Sequence, residues 1–185
     1  MGQREFKQGQ FFVVIHGPSC GGKSSINREI QSRFTGVFDA RQDKVKWLIS
    51  DYSSKKYYKK YSEVLEDMLS KMIGVALKHG LSVIKEGMRE DPKKLKQLAK
   101  RSNVPIFFIN VSAPKKVLIS RFKDRLTIPK PGAKLANKCP KRFEQMRIFY
   151  ENTKVKTSLE FDSSNQSPKE MVDEILKFIK KQAKK

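Results

Sequence analysis

The chain has 185 residues with 40 Lys+Arg against 19 Asp+Glu, a formal net charge of +21. That length suits a single domain, residues 1–185, with a real hydrophobic core, and the charge would attract polyanionic partners, nucleic acid among them, although basic residues spread over most helices read first as solvated faces. Two cysteines, Cys20 and Cys139, exclude a disulfide framework or a zinc pattern, and no apolar run approaches the roughly 20 residues of a membrane span, so no membrane partner is expected. Met1-Gly2-Gln3-Arg4-Glu5 carries no apolar signal segment and no myristoylation pattern, which makes a cytoplasmic location the default expectation.

In chain order, the predicted strands are Phe11–His16, Val37–Ala40, Ser82–Lys85, Val104–Val111 and a short Ser158–Phe161. Between them run helical patterns over Gly22–Phe34, Lys44–Ser50, Val64–Lys78, Pro92–Arg101, Pro114–Arg125, Pro140–Lys154 and Pro168–Lys181. Val64, Leu65, Met68, Leu69, Met72, Ile73 and Ala76 form a broad apolar stripe that reads as core. Alternating strands and helices predict a three-layer α/β/α fold, with a mostly parallel five-stranded sheet and ligands at the carboxyl ends of its strands. Thr127–Cys139 breaks the pattern with two prolines, a glycine and several lysines, and predicts a lid-like loop within about residues 126–141. A basic tail closes the chain at about 180–185.

The first strand feeds Gly17-Pro18-Ser19-Cys20-Gly21-Gly22-Lys23-Ser24-Ser25, a G-x-x-x-x-G-K-S loop opening a helix. Its glycines let the backbone bend so that amide N–H groups and the helix terminus face an anion, the pattern of a nucleoside triphosphate site. Lys23 is placed for the β- and γ-phosphates of ATP and Ser24 for Mg²⁺. Cys20 reads as a small loop residue.

Asp43, after the second strand, is a candidate to accept or orient the proton of an incoming hydroxyl; Asp39 competes for that role, and capping a helix at Lys44 is the plainer reading of Asp43. Glu86, ending the third strand, is suited to hold Mg²⁺ through water or to bind a substrate hydroxyl, against pairing with Lys85 or Arg89 in solvent. Arg121 and Arg125 share one helix face before the irregular loop, with Arg142 and Arg147 beyond it, and guanidinium forks stabilise charge on a transferring phosphoryl group. Gly17, Asp39–Asp43, Glu86–Arg89 and Ser112 are expected around one cleft.

The phosphate loop, the segment Val83-Ile84-Lys85-Glu86-Gly87-Met88-Arg89, the Arg121-x3-Arg125 pair and Phe161-Asp162-Ser163-Ser164 before a helix resemble small P-loop kinases. Among them the set is most similar to zeta-toxin-like, AAA-type kinases, with the 5′-kinase domains of polynucleotide kinases close behind; Met88 stands where zeta toxins have threonine. Over about Phe11 to Ile179 the resemblance implies an ATP- and Mg²⁺-dependent transfer of a phosphoryl group to a hydroxyl of a small molecule such as a nucleoside, sugar nucleotide or other metabolite. It implies Asp43 as the hydroxyl-activating acid, Glu86 and Arg89 as acceptor-binding groups, Arg121 and Arg125 as lid arginines, and Ser163 near the adenine. A polynucleotide acceptor is the alternative, favoured by the charge and by Tyr52, Tyr57, Tyr58 and Tyr61, which could stack bases. A GTPase-type switch is disfavoured, because Asn137-Lys138-Cys139-Pro140 lacks the aspartate of a guanine-reading element.

Overall fold

In a computed structural model the described residues are 9–50, 58–87, 91–127, 140–153 and 156–182. Arg89, Tyr52, Tyr57, the stretch 128–139 of the expected lid and residues 183–185 of the tail lie outside them, as does the side chain of Arg142. Five strands, β1 Phe12–His16, β2 Val37–Asp39, β3 Ser82–Glu86, β4 Ile106–Ser112 and β5 Leu159–Asp162, form one sheet in the order β2-β3-β1-β4-β5. Every pairing is parallel, so the expected mostly parallel sheet is parallel throughout the described residues.

The central strand shows why this sequence makes this sheet. All five residues of β1 are buried, and its alternation divides them between two cores, as a parallel strand covered on both faces requires. Phe12 and Val14 pack with Leu65, Leu69, Ile73 and Leu77 of α3 (Tyr58–Lys78) and Leu95 and Ala99 of α4 (Pro92–Arg101). Val13 and Ile15 pack with Ile26 and Ile30 of α1 (Lys23–Arg33) and Met171, Val172, Ile175 and Ile179 of α7 (Pro168–Gln182). These apolar residues recur at helical spacing on one side of each helix, so burying them fixes which face of the sheet the helix covers. A third cluster joins Leu118 and Phe122 of α5 (Lys115–Thr127) to Phe143 of α6 (Pro140–Asn152) and to Cys20.

Between β2 and α3 the expected single helix over Lys44–Ser50 is instead a four-residue α2, Gln42–Val45, followed by a 3₁₀ turn, Lys46–Leu48. Only Val45 of this stretch is buried, while Trp47 and Leu48 are exposed, so no continuous apolar stripe is available to hold a longer helix against the core. The helix α3 begins earlier than its expected apolar stripe, at Tyr58, and Tyr61 of its first turn already packs against the core.

Connection direction places the crevice. From β1 the chain passes through α1 to β2, and from β3 it passes through α4 on the opposite face to β4. Loops leaving neighbouring strands toward opposite faces open a crevice at their carboxyl ends, here between β1 and β3.

Candidate functional site

The loop Gly17–Ser24 sits at that crevice. Gly17 has φ +144, and a Cβ there would lie 1.9 Å from the Val111 carbonyl oxygen of β4. A side chain on Gly21 would come within 2.8 Å of the same atom, so the loop lies flat on β4 only because both positions are glycine. Gly22 caps α1 at φ 98, and its carbonyl accepts from the amides of Ser25 and Ile26. Lys23 folds back across the loop, its Nζ donating to the carbonyls of Gly17 at 2.9 Å and Pro18 at 2.7 Å. Burial lowers its pKa from 10.5 to about 8, against the opposing charge of Glu86.

Glu86 is not a solvent-facing acid. Its side chain is 10% exposed and accepts from Ser24 Oγ at 2.7 Å and Asn27 Nδ2 at 2.8 Å. In a parallel sheet the ends of β1 and β3 lie side by side, with Ile15 in register with Glu86. The first turn of α1 therefore meets the end of β3.

Asp39 extends the same cluster. It accepts from Asn27 at 3.1 Å, from Gln31 at 3.1 Å, from Arg41 Nη2 at 2.6 Å and from Lys44 Nζ at 2.7 Å. Burial pushes the Asp39 carboxyl up, but bonds from Arg41, Lys44 and Asn27 outweigh it and hold the pKa near 2. Arg41 also approaches Glu86, at 3.5 Å. Asp43 lies apart, in the first turn of α2 and not at its cap, which is Arg41; its side chain is 77% exposed and pairs with Lys46. Its charge is nevertheless felt by Lys23 and Arg41.

On the other side of the loop Arg121 reaches across from α5. Its guanidinium donates to Ser163 Oγ at 2.8 Å, to the Ser163 carbonyl at 2.7 Å and to the Cys20 carbonyl at 3.3 Å. Ser163 in turn donates to the Ser112 carbonyl through its amide at 2.8 Å and its hydroxyl at 2.9 Å, which draws the end of β5 against the phosphate loop. Arg125 lies one turn further along α5 and its charge acts on both Cys20 and Lys23. Burial nonetheless pushes the Cys20 thiol up, so it sits in the loop as an uncharged packing residue. Arg147 is taken up within its own helix by Glu144 and Glu151.

Arg41 falls within the Asp39–Asp43 stretch expected at the cleft, but Asn27, His16 and Tyr150 are not evident from sequence. Tyr150 of α6 stands over Lys23 Nζ at 5.4 Å from its ring centroid and beside the His16 ring at 4.8 Å. His16 is the one clue available, a polar residue closing an apolar strand immediately before the loop.

The cluster fits a hard divalent cation. Ser24 Oγ and the Glu86 carboxylate are oxygen donors in contact, while no group of three or more His, Cys, Asp or Glu able to hold a metal occurs among the described residues. A cation here would need phosphate oxygens and water to complete its shell, which is how Mg²⁺ is held on nucleotides.

No protein-family profile matches the sequence, and no curated protein does. Solved structures do match. A proposed kinase from Chloroflexus aurantiacus superposes with a TM-score of 0.69 at 17% identity, covering 95% of this chain and 99% of that one. A sugar kinase from Janibacter sp. HTCC2649 gives 0.64 at 16% identity over 92% and 95%. APS kinase of Mycobacterium tuberculosis, in complex with AMPPNP and APS, gives 0.61 at 14% identity over 94% and 98%. At such identities the likeness shows the fold, and the fold is that of the small P-loop kinases to which the motifs pointed. Among the described residues no helix is long and apolar enough to cross a membrane.

Proposed function

We propose that this chain is an ATP-dependent phosphotransferase that moves the γ-phosphoryl group to a hydroxyl of a small molecule, a nucleoside, sugar nucleotide or other metabolite. The observation that carries the reading is the convergence of Lys23 and Ser24 of the loop with Glu86 of β3 at one crevice. In this reading Gly17 to Ser25 cradle the triphosphate through backbone amides, and Lys23 exchanges two carbonyl partners for the β- and γ-phosphates. Ser24 and Glu86 would hold Mg²⁺, which would supply charge against the phosphate oxygens. Asp43, exposed at the start of α2, accepts or orients the proton of the acceptor hydroxyl, and Arg89 joins Glu86 on the acceptor side. Arg125 supplies positive charge to the transferring group, while Arg121 holds the Ser163 segment at the nucleotide end of the loop.

Phosphoryl transfer asks little covalent chemistry of the protein, so positioning and charge carry the rate. Labelled γ-phosphate from ATP should appear on a hydroxyl acceptor in a screen with the native chain. The folded Lys23→Ala variant should transfer almost none, and undiminished transfer by that variant would overturn the proposal.

One observation favours a nucleic-acid acceptor as the second reading. The helix α4 exposes Lys93, Lys94, Lys96, Lys100 and Arg101 with no acid within its length, a continuous basic surface. Binding to an oligonucleotide that weakens steeply with salt, together with label on its 5′-hydroxyl, would select it over the small-molecule acceptor.

A further inference from the structure

The crevice between β1 and β3 has two walls of different chemistry. On the α1 side, Ser24, Asn27, Asp39, Arg41 and Glu86 bond one another. On the opposite side the strand alternation turns His16 and Lys85 toward the face where Phe12, Val14 and Val83 pack under α3 and α4. Both His16 and Lys85 are buried.

Tyr150 closes this second wall. Its ring lies 4.8 Å from that of His16 at an interplanar angle of 60°, and 5.4 Å from Lys23 Nζ. Its hydroxyl oxygen is 3.3 Å from where a Cβ on Gly87 would stand, and Gly87, at φ +77, directly follows Glu86. One side chain therefore touches the end of β1, the loop lysine and the residue after the acceptor-side acid. Behind it, neither buried His16 ring nitrogen makes a hydrogen bond of good geometry among the described residues, and burial with the nearby Lys23 charge lowers the imidazole pKa against the opposing pull of the Thr153 backbone, so His16 backs Tyr150 as a neutral flat surface.

Building on the kinase reading, we propose that Tyr150, backed by His16, is the acceptor-binding surface, and that the acceptor is a ring-bearing alcohol, a sugar or nucleoside, lying on the Tyr150 face with one hydroxyl held toward Lys23. An aromatic face beside a cation offers the C–H face of a sugar or the π-face of a base a contact that an open-chain alcohol cannot match. The acids of the α1 wall already accept from Arg41, Asn27, Lys44 and Ser24, so shape and stacking on the Tyr150 side add a selection for rings that those polar groups do not supply.

The test uses the full chain with γ-labelled ATP and two matched acceptor sets, uridine, glucose and N-acetylglucosamine against glycerol, homoserine and pantothenate. Label should pass to a ring-bearing acceptor, and Tyr150→Phe should keep its KM within about twofold because the ring is retained. Tyr150→Leu should raise that KM about tenfold or more, while KM for ATP does not rise, since the loop amides and Lys23, not the ring, are assigned to the phosphates. Transfer confined to the open-chain set, or an acceptor KM unchanged in Tyr150→Leu, overturns the proposal. Binding of Mg²⁺·AMP-PNP, measured in parallel, separates this from failure of the kinase reading, which requires nucleotide binding whatever Tyr150 does.

Discussion

Lys23 is costly to the fold that carries it, and the cost has a pH signature. Folding lowers its pKa from 10.5 to about 8, chiefly by burial. Between those values the unfolded chain holds a proton that the folded chain has released, so this residue makes stability rise with pH through that window. At 1.4 kcal/mol per tenfold the effect is about 3 kcal/mol, absent below the folded value and complete above 10.5. Replacing Lys23 by Met keeps the stem and removes the titration. The variant loses the bonds to the Gly17 and Pro18 carbonyls, but that loss does not titrate. Urea unfolding of both proteins from pH 7 to 11 gives the difference in which the other lysines cancel. Native minus variant stability should climb by about 3 kcal/mol across this range. A flat difference, or one that falls as pH rises, would refute the argument that the phosphate loop buries Lys23 at a cost to its charged form.

The two acids after β2 should separate by assay. Asp43→Asn should lower kcat by about a hundredfold or more with KM for ATP nearly unchanged, because an acid that handles the acceptor proton acts on the chemical step. Asp39→Asn should instead cost about 2 kcal/mol in urea unfolding, since Arg41 would lose its carboxylate, and loss of kcat in Asp39→Asn alone would move the acceptor role to that residue. The Asp39 contribution to native stability is present above pH 3.8 and lost as pH falls toward 2, which acid titration of the same pair should show. Gly17→Ala combines a positive φ with overlap onto the Val111 carbonyl and should destabilise by about 3 kcal/mol, near 10 °C in Tm, whereas Gly9→Ala, with open space around it, should leave Tm unchanged.

The sequence made the phosphate loop legible because its chemistry is local: two glycines, a lysine and a serine at fixed spacing between an apolar strand and a helix. Glu86 was also within reach, since parallel strands set side by side bring their carboxyl ends to one edge. Asp39 and Asp43 could not be ranked by the same means. They stand four positions apart around a strand end, and it is the docked partners, Asn27 and Gln31 of α1 with Arg41 and Lys44, that surround Asp39 while Asp43 stays in solvent. The short α2 and its 3₁₀ turn were missed because Trp47 and Leu48 mimic an apolar helical face while lying exposed. Tyr150 was invisible for a different reason. Nothing in the period of α6 distinguishes a tyrosine that reaches back to β1 from one in solvent, because the contact depends on how the helix docks.

Phosphorus NMR of the native chain with Mg²⁺·ATP and a dialysable small-molecule extract tests the central claim most directly. The account predicts a new phosphomonoester resonance growing mole for mole with ADP, and neither product with Lys23→Ala. ADP accompanied only by inorganic phosphate, or no consumption of ATP at all, would contradict it.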